Sequence, residues 1–303
     1  MAFLVLLIVI GYVLSGTKLV PDGAASLLSK LENYVFIPAL VLGTFMEHFT
    51  LERFGTAGQY LLCGGVVIAI TIPIAIVLAR LSAKDCFVRN IYTYGLSFSN
   101  FGFMGNAVVS ALFPDIFMEY LIFVLPFWVC IYVWGVPYLL MPQSGKKSGL
   151  SGLKNLINPM FIAMLVGMAI GLSGLKMPAF LGSAVSSLGS CMSPIAMLIT
   201  GMTIAKINLK AALGNLSIYV VSVLRLLVIP LVAVVALRFL PISYGLALCT
   251  VCSLAMPLGL NTIIVPNAYG KDTTVAAGMA LISHFLSCIT IPVVFMLFDW
   301  LCR

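Results

Sequence analysis

Apolar residues run almost unbroken through this chain in stretches long enough to cross a membrane as helices, separated by a few polar or basic residues. A spanning helix needs about 20 mainly apolar residues. Ten runs reach or approach that length: 2–16, 27–46, 57–79, 91–113, 118–141, 159–174, 180–205, 214–239, 244–268 and 274–298. The first and sixth are short and would cross nearly upright. All are rich in Leu, Ile, Val, Met and Ala, whereas the strands of a membrane barrel show short alternating segments. The pattern predicts an all-α polytopic membrane protein with ten transmembrane helices. The one linker is Pro142 to Ile157, with its turn-prone Pro142-Gln143-Ser144-Gly145-Lys146-Lys147-Ser148-Gly149.

That linker (142–157) divides the chain into residues 1–141 and 158–303, and the two halves echo each other. Leu14-Ser15-Gly16 with Lys18 and Pro21 returns as Leu172-Ser173-Gly174 with Lys176 and Pro178. Pro38 pairs with Pro194, Pro73 with Pro230, Asp115 with Asp272 and Pro137 with Pro292, all at an offset of about 157 residues. Several matches at nearly one offset predict a duplicated five-helix unit. Five is odd, so the second copy enters the membrane from the opposite side. Such inverted repeats are a hallmark of secondary transporters, because the two copies can exchange conformations.

Composition agrees. Of 303 residues, 62% are hydrophobic and 8% charged, whereas a soluble domain carries about 25% charged residues. Most of the surface therefore faces lipid, and an ordinary soluble enzyme is excluded. In a soluble protein the net charge of +7 would suggest a nucleic-acid partner; here it reads as loop charge, with the lipid bilayer as partner and no nucleic acid. The loops after odd-numbered spans hold or adjoin Lys18, Lys30, Arg80, Lys84, Arg89, Lys146, Lys147, Lys154, Lys206, Lys210 and Lys271. The opposite side holds Arg53, Lys176, Arg238 and Arg303. By the positive-inside rule the first set is cytoplasmic and both termini lie outside. Lys30 and Glu32 then read as an anchor at the cytoplasmic end of span two. The cysteines sit mostly inside apolar runs without zinc-ligand spacing, so neither a disulfide nor a metal is expected. The N-terminus is apolar from residue 2 and reads as the first span rather than a signal peptide.

Candidate chemistry lies where spans four and nine are interrupted. Span four carries Ser99-Asn100-Phe101-Gly102-Phe103-Met104-Gly105-Asn106, and span nine carries Ala255-Met256-Pro257-Leu258-Gly259-Leu260-Asn261-Thr262, then Pro266 and Asn267. Pro257 lacks an amide hydrogen and should break its helix. Such a break survives in a membrane only where it lines a cavity or meets another peptide segment. The breaks fall at equivalent points of the two halves, so a crossing would let each satisfy the other's backbone. Half-helix N-termini would then direct partial positive charge at one spot, which suits a carboxylate. Asn100, Asn106, Asn261 and Thr262 could donate hydrogen bonds to it. The competing reading is that Gly and Pro here serve only helix packing.

Arg225 lies inside span eight and His284 inside span ten. A central Arg costs about 2.5–3.5 kcal/mol on insertion scales, so it should be paired or functional. It could attract an anionic substrate, cap carbonyls freed by Pro230, or snorkel to the cytoplasmic face. His284 could carry a proton in proton-coupled transport, or simply bond between helices. No cofactor is implied. A Na⁺ site would rest on carbonyls, hydroxyls and amides.

Asn33-Tyr34-Val35-Phe36-Ile37-Pro38-Ala39-Leu40, Ser99 through Gly105, Asn158-Pro159, Arg225 with Pro230, and Ala255-Met256-Pro257 through Asn261 together resemble the auxin efflux carrier family, in the right order over essentially the whole chain. The resemblance implies two inverted five-helix repeats whose helices four and nine cross at the membrane midplane, as in bile-acid/sodium symporters. It implies a scaffold domain of helices 1, 2, 6 and 7 and a transport domain of helices 3–5 and 8–10, moving as an elevator. It implies a small organic anion as substrate, from auxin-like acids to malate and malonate, and family members often dimerise through the scaffold helices. The site it implies is Asn100, Gly102, Gly105, Asn106, Pro257, Gly259, Asn261 and Thr262. The family usually has Gly-x-Pro at the span-four break, where this chain has Gly105-Asn106-Ala107. The break is then expected to rely on Gly102 and Gly105, in a more polar site. The leading expectation is a secondary transporter of small organic anions in the cell membrane. The alternatives are a sodium-coupled symporter of the bile-acid type, a passive channel, and a membrane-embedded enzyme, which finds no mid-span carboxylate pair or metal motif here.

Overall fold

The computed structural model describes residues 2–141, 158–175, 177–205, 214, 216–268 and 271–302. The expected linker 142–157 lies outside them, as do Lys176, Lys206, Lys210 and Arg303 and the side chains of Glu52 and Asn267. The secondary structure of the described residues is helical, joined by turns and short connections, with one isolated bridge between Ser99 and Leu258. In chain order the helices are α1 (Ala2–Gly16), α2 (Ala24–His48), α3 (Leu51–Ser82), α4 (Cys86–Ser97), α5 (Phe101–Leu112) and α6 (Pro114–Leu140). They continue with α7 (Pro159–Ser173), α8 (Ala179–Thr203), α9 (Leu216–Arg238), α10 (Tyr244–Leu254), α11 (Asn261–Ala268) and α12 (Thr274–Cys302). Among the described residues, six helices are long and apolar enough to cross a membrane: α2, α6, α8, α9, α12 and the Gly55–Ser82 part of α3.

Local chemistry sets the helix ends. Asp85 caps α4, its carboxylate accepting from the Val88 amide at 2.8 Å. Asn158 caps α7 in the same way, accepting from the Phe161 amide at 3.0 Å, with Pro159 in the first turn where its missing amide costs nothing. Inside α2 and α9 the chain widens into π-helical turns at Glu32–Phe36 and Leu224–Val228. Each lies just before a proline, Pro38 or Pro230. A proline ring presses on the preceding turn and withholds one hydrogen bond, and the wider turn takes up both defects.

The chain forms two compact units. The first comprises Met1–Tyr60, Asn106–Ile122 and Asn155–Lys206. In it α1 packs along the second half of α8, and α2 packs against α7 and α8. The α1 contact is a backbone approach. A methyl group on Gly201 would run into the Ile8 carbonyl, and one on Gly11 into the Leu198 carbonyl. Membrane helices gain little by burying apolar side chains, so close approach over small residues is what holds them together. Ser193 donates to the Ala107 carbonyl at 3.0 Å, and Arg53 pairs with Glu119 at 3.4 Å. Lys30 is exposed, but Glu32 is fully buried, so Glu32 is not the surface anchor that its place in the sequence suggested.

The second unit comprises Leu61–Gly105, Phe123–Lys154 and Ile207–Arg303. The expected transport helices fall here, except that residues 106–122 belong to the first unit. In α12 the buried face carries Ser283, His284 and Ser287, while Phe285, Ile289, Met296 and Trp300 are exposed. Polar residues inside and large apolar ones outside is the arrangement a lipid solvent favours.

Gly201→Val should lower the thermal midpoint of the detergent-purified protein, because overpacking costs about 1–3 kcal/mol. Gly58→Ala, in an open part of α3, should be neutral or stabilising by up to about 1 kcal/mol. Equal midpoints for the two variants would contradict the packing described for α1 and α8.

Candidate functional site

Two helices stop inside the second unit and restart after a few residues. α4 ends at Ser97, Phe98 is extended (φ −120°, ψ 114°), and the helical path resumes at Phe101. α10 ends at Leu254 and α11 begins at Asn261. The two interruptions meet. Ser99 and Leu258 form an antiparallel bridge, and the Asn100 amide donates to the Pro257 carbonyl at 2.7 Å. The Ser99 hydroxyl donates to the Ser253 carbonyl at 2.7 Å, and the Leu258 amide donates to the Ser283 hydroxyl at 3.2 Å. Each break thus fills the backbone valences the other leaves open.

Arg225 closes the arrangement. It is 1% exposed, so it does not snorkel. Its Nη1 donates to the Leu96 carbonyl at 2.9 Å, Nη2 to the Ser253 carbonyl at 3.3 Å and Nε to the Met256 carbonyl at 3.3 Å. The Leu96 and Ser253 carbonyls lie at the C-terminal ends of α4 and α10, and that of Met256 in the break after α10. Each such end carries about half a negative charge from the helix dipole. One guanidinium, with five donors in a planar fork, serves both ends. Of the roles open from sequence, Arg225 takes that of a carbonyl cap, but on the carbonyls at the breaks rather than on those freed by Pro230.

His284 Nδ1 lies 2.7 Å from the Ala280 carbonyl, and Nε2 lies 3.1 Å from Asn100 Nδ2. A carbonyl only accepts, so Nδ1 carries the hydrogen and Nε2 accepts from the Asn100 amide. Asn261 Nδ2 donates to the Tyr94 hydroxyl at 2.9 Å, and Thr262 Oγ1 donates to the Gly259 carbonyl at 2.9 Å. Tyr94, Ser99, Ser253 and Ser283 were not singled out from sequence. Their signal was small polar or phenolic groups inside apolar runs.

Gly102 of span four makes room for a close contact. The break precedes Gly102 and Gly105, which lie within a π-helical turn, Phe101–Gly105. A methyl on Gly102 would come within 2.8 Å of the Trp128 ring, and one on Gly135 within 2.7 Å of Phe98. The absent side chains let an aromatic wall close on the break: Tyr94 against Phe98 at 4.9 Å, Phe101 against Trp128 at 5.1 Å, and Trp128 stacked on Tyr132 at 5.8 Å. Asn100, Gly102, Gly105, Pro257, Gly259, Asn261, Thr262, Arg225 and His284 therefore lie in one unit. Asn106 begins the segment assigned to the other unit. Its carboxamide oxygen is buried and makes no hydrogen bond.

A family model described as membrane transport protein matches residues 1–295, and the chain belongs to this family, that of the auxin efflux carriers. No curated protein matches the chain.

Hydrogen bonds to charged groups contribute about 1.5–3 kcal/mol each. Arg225→Gln keeps one donor group for three carbonyls and should destabilise the protein by roughly 2–5 kcal/mol, with Arg225→Lys in between. Thermal melting in detergent checks this order. A melting curve for Arg225→Gln that overlays the wild type would remove the capping role.

Proposed function

We propose that this protein is a secondary active transporter of small organic anions, with the substrate bound at the crossing of the two interrupted helices. Membership of a membrane transport family supports transport as the activity. The crossing supports the rest: two helix breaks paired with each other and held by a buried arginine gather polar groups at interrupted helices, the kind of place where transporters bind substrate. Asn100 and Asn261 are the best-placed amides. Each spends one hydrogen of its amide nitrogen inside the protein and keeps the second to donate to a ligand. The Tyr94 hydroxyl, which accepts from Asn261, still has its own hydrogen to give. A carboxylate matches this set of neutral donors beside a buried cation.

In this reading the second unit carries the anion and the first is the scaffold it moves against, in an elevator-type exchange between outward-facing and inward-facing states. The two five-helix halves are inverted copies, which makes the two states alike in structure. Both termini lie outside the cell membrane, as the distribution of Lys and Arg indicates.

Uptake of radiolabelled monocarboxylates and dicarboxylates into proteoliposomes, under imposed proton and sodium gradients, tests the reading. Uptake of at least one carboxylate is expected without a sodium gradient; strict sodium dependence would favour a symporter of the bile-acid type. Asn100→Ala and Asn261→Ala should each reduce uptake about tenfold or more, the effect of losing roughly 1.4 kcal/mol of interaction. If both variants transport normally, the substrate binds elsewhere.

A further inference from the structure

Glu32 belongs to the first unit, and among the described residues no hydrogen bond or ion pair reaches its carboxyl group. It is fully buried, and both carboxyl oxygens are buried without a hydrogen bond. It opens the π-helical turn Glu32–Phe36 and is buried between exposed Leu31 and Asn33. π-helical turns inside α-helices are frequent at functional sites.

The helices packed around this turn offer no counter-charge. Pro159–Ser173 and Met192–Ala205 contain no titratable or charged residue, nor does Ala179–Ser190, with Cys191 just beyond it. On its own helix, Lys30 is exposed, and Glu47 and His48 are exposed at the far end. The threonine hydroxyls on these elements donate within their own helices: Thr44 to the Leu40 carbonyl, Thr200 to Ala196, and Thr203 to Ile199. A sodium ion needs several oxygens, and an ion pair needs a cation. A proton needs only the carboxyl itself. An unpaired carboxylate in an apolar interior is far costlier than the neutral acid.

We propose that Glu32 is a proton-binding site: it carries a proton while the helices of the first unit enclose it, and releases that proton only when they part enough to admit water. The carboxyl then couples proton uptake to closure of this unit. In the transporter reading, on which this last step rests, it makes the anion cycle proton-linked.

Infrared difference spectroscopy of the purified protein in lipid, wild type against Glu32→Gln, reads the proton directly and does not depend on transport. The expected result at neutral pH is a carboxylic-acid C=O band in the wild type that shifts in D₂O and is missing from Glu32→Gln. Absence of that band, or its persistence in the variant, overturns the proposal. Glu32→Gln replaces a neutral acid by a neutral amide of the same size, so its melting midpoint should match the wild type. A large drop, as for a broken ion pair, also overturns it. In proteoliposomes, wild-type uptake should respond to a proton gradient, and Glu32→Gln should lose that response while retaining exchange. If wild-type protein transports no carboxylate, the transport reading fails and the infrared result still decides Glu32.

Discussion

A helix that stops inside a membrane leaves amides and carbonyls with no water to bond, and that constraint governs this structure. Each unsatisfied group would cost several kcal/mol in hydrocarbon. The protein meets the cost at one place with one buried cation and a two-residue piece of β-pairing. Arg225 takes carbonyls from the ends of α4 and α10, and the Asn100 amide takes the Pro257 carbonyl. The Arg225 guanidinium in turn needs this company, since a lone guanidinium among apolar helices would be the costlier defect. Neither the breaks nor the arginine is stable alone, and together they fix where α4, α9 and α10 meet.

The remaining packing of the second unit follows from that junction. α12 presents Ser283 and His284 because the broken segments need acceptors and donors from a third side. The aromatic residues of α6 close over Phe98 and Phe101 because glycines at 102 and 135 leave room for them. The first unit is built on a different principle. It has no comparable polar junction among its described residues, and its helices approach over Gly11, Gly201 and Gly189. One unit held by close helix approach and one organised around polar backbone is a division of labour that suits a membrane transport family.

Much of this was legible in the chain itself. Apolar run length marked helices such as α1, α7 and α9 to within a few residues, since lipid thickness sets that length. Pro257 announced the second interruption because a missing amide hydrogen is a local property. The first interruption was placed too late, at Gly102 and Gly105, because glycine is ambiguous between a flexible joint and a close contact. Here it is the contact, with Trp128, a residue distant in sequence. Arg225 was recognised as anomalous, yet its partners lie on two other helices, and no local pattern names them. Glu32 looked like an interfacial anchor beside Lys30. Lys30 and Glu32 lie two residues apart on nearly opposite faces of the helix, and which face is covered depends on helices distant in sequence. Asn106 was placed with the site by adjacency, while the chain changes unit at that residue.

The pairing of Ser99 with Leu258 has a consequence for how such a sequence can vary. Extended chain alternates its faces with every residue, so a shift of one position turns each side chain to the opposite side. Ser99 would lose the Ser253 carbonyl, and Asn100 would turn from His284 toward the place Ser99 had held. The crossing therefore has a register, as a strand pair does. Substitutions within 98–100 and 255–260 alter the chemistry on offer, whereas a single inserted or deleted residue in either segment exchanges its inside for its outside.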